Sequence, residues 1–398
     1  MAKGHFFGTD FFGCFRKNVP KKRSMSIKRI GREDITITMG RGMQKLSLGV
    51  RDNNFDFLRF VAATMVLLGH CYWLTGRLSE EPFRPLTGGT DVADMAVDVF
   101  FVISGFLITA SYLHGSSNVS FILKRALRIF PGLAFAVVFA LLVIGPLTTP
   151  LPLGEYFSNG KTAAFLTNLF LMTRYELPGV FANNPFPEVV NGSFWTLPLE
   201  GMMYCSVLLL GALKLLKRHM VVLGLGVLMV GHFFVLPALG VESVTILKLF
   251  RLGLFFYGGA ALYLYQNQIR WDGRIALLFL AASVLALGSS AWFVVHMFTL
   301  PYLVIYIAYA RLPKIARFGN HGDFSYGMYI FGFPVQQLLI YWVGADIDLA
   351  VLALSSMVIT LCFAVLSWRL VEAPALRLKR YTNIRSLRIG AGASVNRD

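Results

Sequence analysis

Residues 55–75 read FDFLRFVAATMVLLGHCYWLT, an apolar run that carries Arg59 at one end and His70 deeper inside. As a helix it is long enough to cross a bilayer, since about 20 residues rise the roughly 30 Å of a hydrocarbon core. Arg59 and His70 are separated by a near-whole number of turns, about three, so they share one face and stand roughly 16 Å apart along the axis. Ionisable groups at such depth cost about 2.5–3.5 kcal/mol or more unless they meet a partner or a water-filled cavity, so a functional site is the leading reading. The plainer alternative is a snorkelling arginine and a hydrogen-bonded core histidine.

The rest of the composition agrees with a membrane setting. Of 398 residues, 56% are hydrophobic and only 15% charged, and the mean hydropathy is +0.62. Apolar spans recur from residue 55 to residue 371 and leave no stretch for a separate soluble domain, so the reading is all-α: one polytopic helix bundle, 55–371, with basic cytoplasmic tails at 1–54 and 372–398. The first tail is expected to be disordered and to touch anionic lipid. A net charge of +16 would suit nucleic acid in a soluble chain; here it sets topology, and nucleic-acid binding is excluded. Cys14, Cys71, Cys205 and Cys362 lack the paired close spacing of a metal site or disulfide framework, so no metal is expected.

Ten crossings are expected, at 55–75, 93–113, 129–148, 194–216, 220–239, 246–267, 275–295, 297–310, 324–343 and 349–371. An apolar piece at 162–173 is too short to span and reads as a re-entrant or interfacial helix. With that piece excluded, most of the 37 Lys and Arg fall on one side, which the positive-inside rule makes cytoplasmic together with both termini. The long outer connection, 149–193, is rich in Pro, Gly and Asn and suits a lid, an acceptor-binding surface or a plain connector.

Topology gives each polar residue a height. Asp98 lies about one turn below the outer surface and either accepts a hydrogen bond from His70 or pairs with a loop cation. Ser104 and Gly105 fall near mid-span and permit close helix contact. Arg125 and Arg128, three apart, share a face at the inner end of the third span; with Arg59 they form a guanidinium cluster suited to phosphate, or else are ordinary topology determinants. Glu200 enters the fourth span with Tyr204 one turn below, while Trp195 anchors at the interface. Lys248 and Arg251 begin the sixth span, either as structural ion-pair partners of Glu200 or Glu242 or as functional groups. Tyr326, Tyr329, Gln336 and Gln337 lie on the ninth span, where Pro334 frees a carbonyl one turn earlier. Arg369 and Glu372 are placed to pair before Pro374 ends the last helix.

Taken together, Arg59 with His70, VDVFFVISGFLI in the second span, the Arg125/Arg128 pair, FWTLPLE, FSYGMYIFGFP and SWRLVEAPALRLKR resemble the integral-membrane acyltransferase 3 family over roughly residues 51–380. The resemblance implies transfer of an acyl group, most often acetyl, from cytosolic acyl-CoA to a hydroxyl of a bacterial polysaccharide, exopolysaccharide or Nod-factor-like glycan. It implies a catalytic role for His70 and functional roles for Arg59, Arg125 and Arg128. Gly332 stands where many members carry a second histidine.

The expected assignment is therefore His70 as general base, Asp98 or Glu200 orienting it or the sugar, Arg59, Arg125 and Arg128 holding acyl-CoA, and Ser104, Trp195, Tyr204 and Tyr326 in support. An acyl relay through His70 or Ser104 is the variant. Acyl-CoA is a co-substrate, with no resident cofactor. The partners are a glycan or lipid-linked glycan, membrane lipid and polysaccharide export machinery, in the bacterial inner membrane. The rival readings are a flippase for a lipid-linked glycan and a non-catalytic receptor.

Overall fold

The computed structural model describes residues 53–379, together with two dipeptide strands, Thr36–Ile37 and Leu46–Ser47, paired antiparallel. The expected tails therefore lie largely outside the described residues. The rest is helical. The long helices are α1 Phe55–Leu74, α2 Val92–Leu113, α3 Asn118–Thr148, α4 Gly192–Ala212, α5 Arg218–Ala238, α6 Val244–Tyr265, α7 Gly273–Leu285, α8 Trp292–Tyr309, α9 Ser325–Val343 and α10 Leu349–Arg377. Eight of them are long and apolar enough to cross a membrane; α7 and α9 fall outside that group, so the count of ten crossings is not reproduced on those criteria.

The ends of the helices are set by local chemistry. Asp91, Ser117, Asp272 and Asp348 cap α2, α3, α7 and α10 by accepting backbone N–H groups of the first turn, which replaces hydrogen bonds the helix cannot make for itself. Gly344, at φ +107°, ends α9, a conformation closed to most L residues. The last helix runs past the expected stop at Pro374. A π-helical turn at Trp368–Glu372 precedes Ala373–Arg377 and places the proline where a missing N–H is tolerated. The same turn separates Arg369 from Glu372, whose carboxylate instead accepts from Ser367 Oγ at 2.7 Å.

The core is built on α2, which packs on α6 and α1, while α9 packs on α10 and α1. The α2–α6 crossing is close because of two glycines. A Cβ at Gly105 would collide with the Phe256 carbonyl, and one at Gly259 with the Val102 carbonyl. Small residues at such crossings let backbones approach without a hydrophobic driving force. Gly259→Val is expected to cost about 3 kcal/mol or more, because backbone atoms would have to move. Gly224→Ala in α5, where a Cβ meets nothing within 4 Å, should be neutral; thermal unfolding in detergent separates the two.

At the periphery, α5 and α7 leave Leu223, Val227, Leu277, Leu278 and Leu285 exposed, as expected of surface that faces lipid. The 149–191 connection is ordered and partly buried. The 162–173 piece forms two short turns, Gly160–Phe165 and Leu166–Phe170, too short to span. Further along, Asn184 Nδ2 donates to the Gln337 carbonyl and Oε1 at 3.0 and 2.8 Å, and Gln337 Nε2 donates to the Phe186 and Val189 carbonyls, both at 2.8 Å. Asn191 Nδ2 donates at 2.8 Å to the Ile330 carbonyl, the one that Pro334 releases four residues later. The loop is thus fastened to α9 by polar groups that would otherwise be unsatisfied in the bundle.

Candidate active site

Among the described residues, two cavities gather the polar groups of the bundle. The first, about 420 Å³, is lined by Arg59 of α1, Ser104 of α2, Arg125 and Arg128 of α3, Glu200 and Tyr204 of α4, Asp323 and Tyr326 at the start of α9, and Lys379 after α10. The second, about 670 Å³, is lined by His70 and Trp73 of α1, Asp91 and Asp94 at the start of α2, Trp195 of α4, Lys248 of α6, Phe333 of α9, and Tyr175 and Phe186 of the outer connection. Arg59 and His70 thus share a helix but open into different spaces, as their axial separation of roughly 16 Å requires.

The arginine cavity is organised by Asp323, which the sequence reading passed over. Its Oδ2 lies 2.6 Å from Arg128 Nη2 and 3.5 Å from Arg59 Nη1, and Arg59 also reaches Asp56 at 2.9 Å. Asp323 precedes α9. Burial pushes its carboxyl up, but Arg128, Arg59 and the bonds from Ser325 outweigh that and hold it below the usual carboxylate range. Arg125 stands over the Tyr204 ring, and its buried Nε finds no hydrogen-bond partner among the described residues. Guanidinium groups that line a cavity suit an anionic ligand, which their planar forks bind by charge-assisted hydrogen bonds. Tyr204 donates a short hydrogen bond to Glu200 and lies 3.5 Å from Ser104 Oγ. Tyr326 donates to the Ile129 carbonyl at 2.9 Å, beneath Arg128.

In the histidine cavity the imidazole of His70 stands edge-on to Phe333, ring centroids 5.2 Å apart. No described residue hydrogen-bonds to it, so its ring nitrogens are available to a ligand. One turn along, Trp73 Nε1 donates to Asp91 at 2.7 Å. Lys248 Nζ lies 3.9 Å from the Trp195 ring centroid and 3.7 Å from Asp94. Aromatic faces beside carboxylates suit a sugar, whose C–H faces stack and whose hydroxyls donate.

Asp98 is not in either cavity. It is fully buried, with Oδ2 at 2.7 Å from Arg251 Nη2 and 3.3 Å from His296 Nε2, and Oδ1 at 3.2 Å from Arg251 Nε. Asp98 pairs with a cation and not with His70, and that cation is Arg251 within α6 and not a loop residue. What holds it there is its partners: Arg251 of α6 and His296 of α8 reach its carboxylate from the side on which α2 packs against those helices. Lys248 and Arg251 pair with Asp94 and Asp98 rather than with Glu200 or Glu242. Glu200 lies in the arginine cavity, so neither carboxylate expected to orient His70 lines the histidine cavity.

A bundle in which eight helices are long and apolar enough to cross a membrane, with ionisable groups gathered in two cavities, is the architecture of a polytopic membrane protein. Residues 52–369 match the family model described as an acyltransferase domain, and the chain belongs to that acyltransferase family. It is 31% identical over 334 residues to an O-acetyl transferase of Shigella phage Sf6, covering 81% of this chain and 95% of that protein. It is 33% identical over 377 residues to nodulation protein 10 of Rhizobium leguminosarum bv. viciae, covering 85% and 96% respectively. No solved structure matches the chain.

Proposed function

We propose that the protein moves an acyl group, acetyl in the first instance, from cytosolic acyl-CoA to a hydroxyl of a cell-surface or secreted glycan, with His70 as general base. The observation that carries this reading is the pairing of the cavities: guanidinium groups suited to phosphates line one, and an imidazole among aromatic rings and carboxylates lines the other. The O-acetyl transferase name of one relative points the same way.

In this reading, Arg59, Arg125 and Arg128 hold the phosphates of the donor. Asp323 fixes two of the forks in place, and each guanidinium keeps further N–H donors for the ligand. Glu200, Tyr204, Ser104 and Tyr326 shape the donor cavity, and Trp195 belongs to the acceptor cavity. His70 takes the proton of the acceptor hydroxyl as its oxygen attacks the thioester carbonyl carbon. The C–S bond then breaks, and the departing thiolate takes the proton from the imidazolium to leave as free thiol. Acyl-CoA is a co-substrate and no resident cofactor is required. The protein sits in the bacterial cytoplasmic membrane with both termini and the arginine cavity on the cytosolic side, in keeping with the charge bias of its loops, and hands its product to polysaccharide export machinery.

Purified protein in nanodiscs, given radiolabelled acetyl-CoA and the surface glycan fraction, should release free thiol and label glycan in equal amounts. Arg125→Gln should raise the donor KM by about 10–100-fold, the worth of a hydrogen bond to a charged group. Thiol release no greater than the blank, with no labelled glycan, would overturn the reading in favour of a flippase or receptor.

Lys379 adds a pH dependence. Burial, with Arg125, Arg128 and Lys124 nearby, pushes its ammonium down to about 8, against the opposing charge of Asp323. Phosphate binds the protonated form, which predominates below that value. The donor KM is therefore expected to be flat below pH 8 and to rise as pH passes upward through it. Lys379→Arg should remove the rise, and Lys379→Gln should show the high-pH KM throughout.

A further inference from the structure

The arginine and histidine cavities have two lining residues in common, Val97 and Tyr329. Val97 is buried on α2, in the stripe that continues to Ser104. Tyr329 comes from α9, and its ring is pinned. Its hydroxyl bonds to Thr196 Oγ1 at 2.7 Å and donates to the Ser193 carbonyl at 3.2 Å, while Phe100 meets the ring edge-on with centroids 5.7 Å apart. One side of this partition holds the guanidinium groups and the other holds His70. An acyl thioester that enters on the arginine side and extends towards His70 passes these two side chains, which border both spaces.

We propose that Val97 and Tyr329 form the passage through which the acyl arm reaches His70, and that the width of this passage selects short acyl chains. The inference rests on the reading that the donor occupies the arginine cavity. Val97 is a branched side chain on the border of both spaces, so removing or adding methyl groups there alters the room left for the acyl arm, and the hydrogen bonds of Tyr329 hold its ring in place. Neither residue carries a group needed for the chemistry. Their effect therefore falls on the choice between donors.

The test compares acetyl-, propionyl- and butyryl-CoA as donors for the full-length protein in nanodiscs. Val97→Ala is expected to lower the acetyl-to-butyryl preference by about tenfold or more, since a single methylene in a fitted site is discriminated by about 10–200-fold. Val97→Ile is expected to shift the preference further towards acetyl. Tyr329→Phe, which keeps the ring and frees it from Thr196 and Ser193, is expected to broaden the range in the same direction as Val97→Ala. A variant that loses monodisperse elution is set aside, and the Val97 substitution of opposite sign decides. Acetyl transfer by the variants with chain-length ratios equal to those of the wild-type protein would overturn the proposal and leave the donor reading standing. Absence of transfer from every acyl-CoA by the wild-type protein would instead overturn the donor reading.

Discussion

His70→Ala is expected to lower acyl transfer by about 10²–10⁴-fold, the usual worth of a positioned general base, while leaving the protein folded and able to bind donor. The two halves of this expectation have separate causes. The imidazole hydrogen-bonds to no described residue, so its removal orphans no buried partner; it forfeits an edge contact with Phe333, worth about 0.5–1.5 kcal/mol. The cationic groups assigned to the donor line the other cavity, so the acetyl-CoA dissociation constant should stay within about threefold, given that no charge-assisted bond is lost. Transfer by the purified variant at the wild-type rate would show that His70 is not the base. A proportionate loss of donor affinity would place it in the donor site instead.

Asp98→Ala is expected to fail for a different reason. Removing this carboxylate leaves Arg251 in the bundle with Thr90 Oγ1, at 3.3 Å, as its remaining hydrogen-bond partner, and breaking a buried ion pair from one side costs about 3–5 kcal/mol. The variant should unfold at lower temperature in detergent and accumulate poorly. A second replacement, Arg251→Met in the same chain, should recover much of the loss, because exchanging both charges for apolar groups of similar volume is often neutral. Were Asp98 the orienting partner of His70, the single variant would keep its stability and lose turnover, and the second substitution would rescue nothing. Melting temperature and turnover of the folded fraction, measured together, distinguish the two.

The site was legible in the sequence to different depths. Arg59 and His70 could be placed on one face of one helix because they lie eleven residues apart on a continuous apolar run, where the period alone sets azimuth and height. Arg125 and Arg128 were legible by the same local rule. Pro334 announced a released carbonyl, though not that Asn191, from a loop 139 positions away, would accept the task of bonding it. The role of Asp98 was not legible, because the helix period gives its depth while the groups that claim its carboxylate, Arg251 and His296, lie on helices distant in sequence. Asp323 gave no local signal, since it stands in a short basic loop before α9 and acquires its role only by meeting α1 and α3.

By itself, the sequence determined that the chain is a polytopic helical bundle and where most of its helices begin and end. Apolar runs, caps and charge bias are properties of neighbouring residues, and in hydrocarbon the backbone has no alternative to satisfying itself within each helix. What only the tertiary structure decided is the division of the polar residues between two cavities, the Asp98–Arg251 pair between α2 and α6, and the partition at Val97 and Tyr329. These depend on how far each helix is turned about its own axis, which is set by packing between segments distant in sequence, such as the glycine contacts of α2 with α6, and by no property of one segment alone.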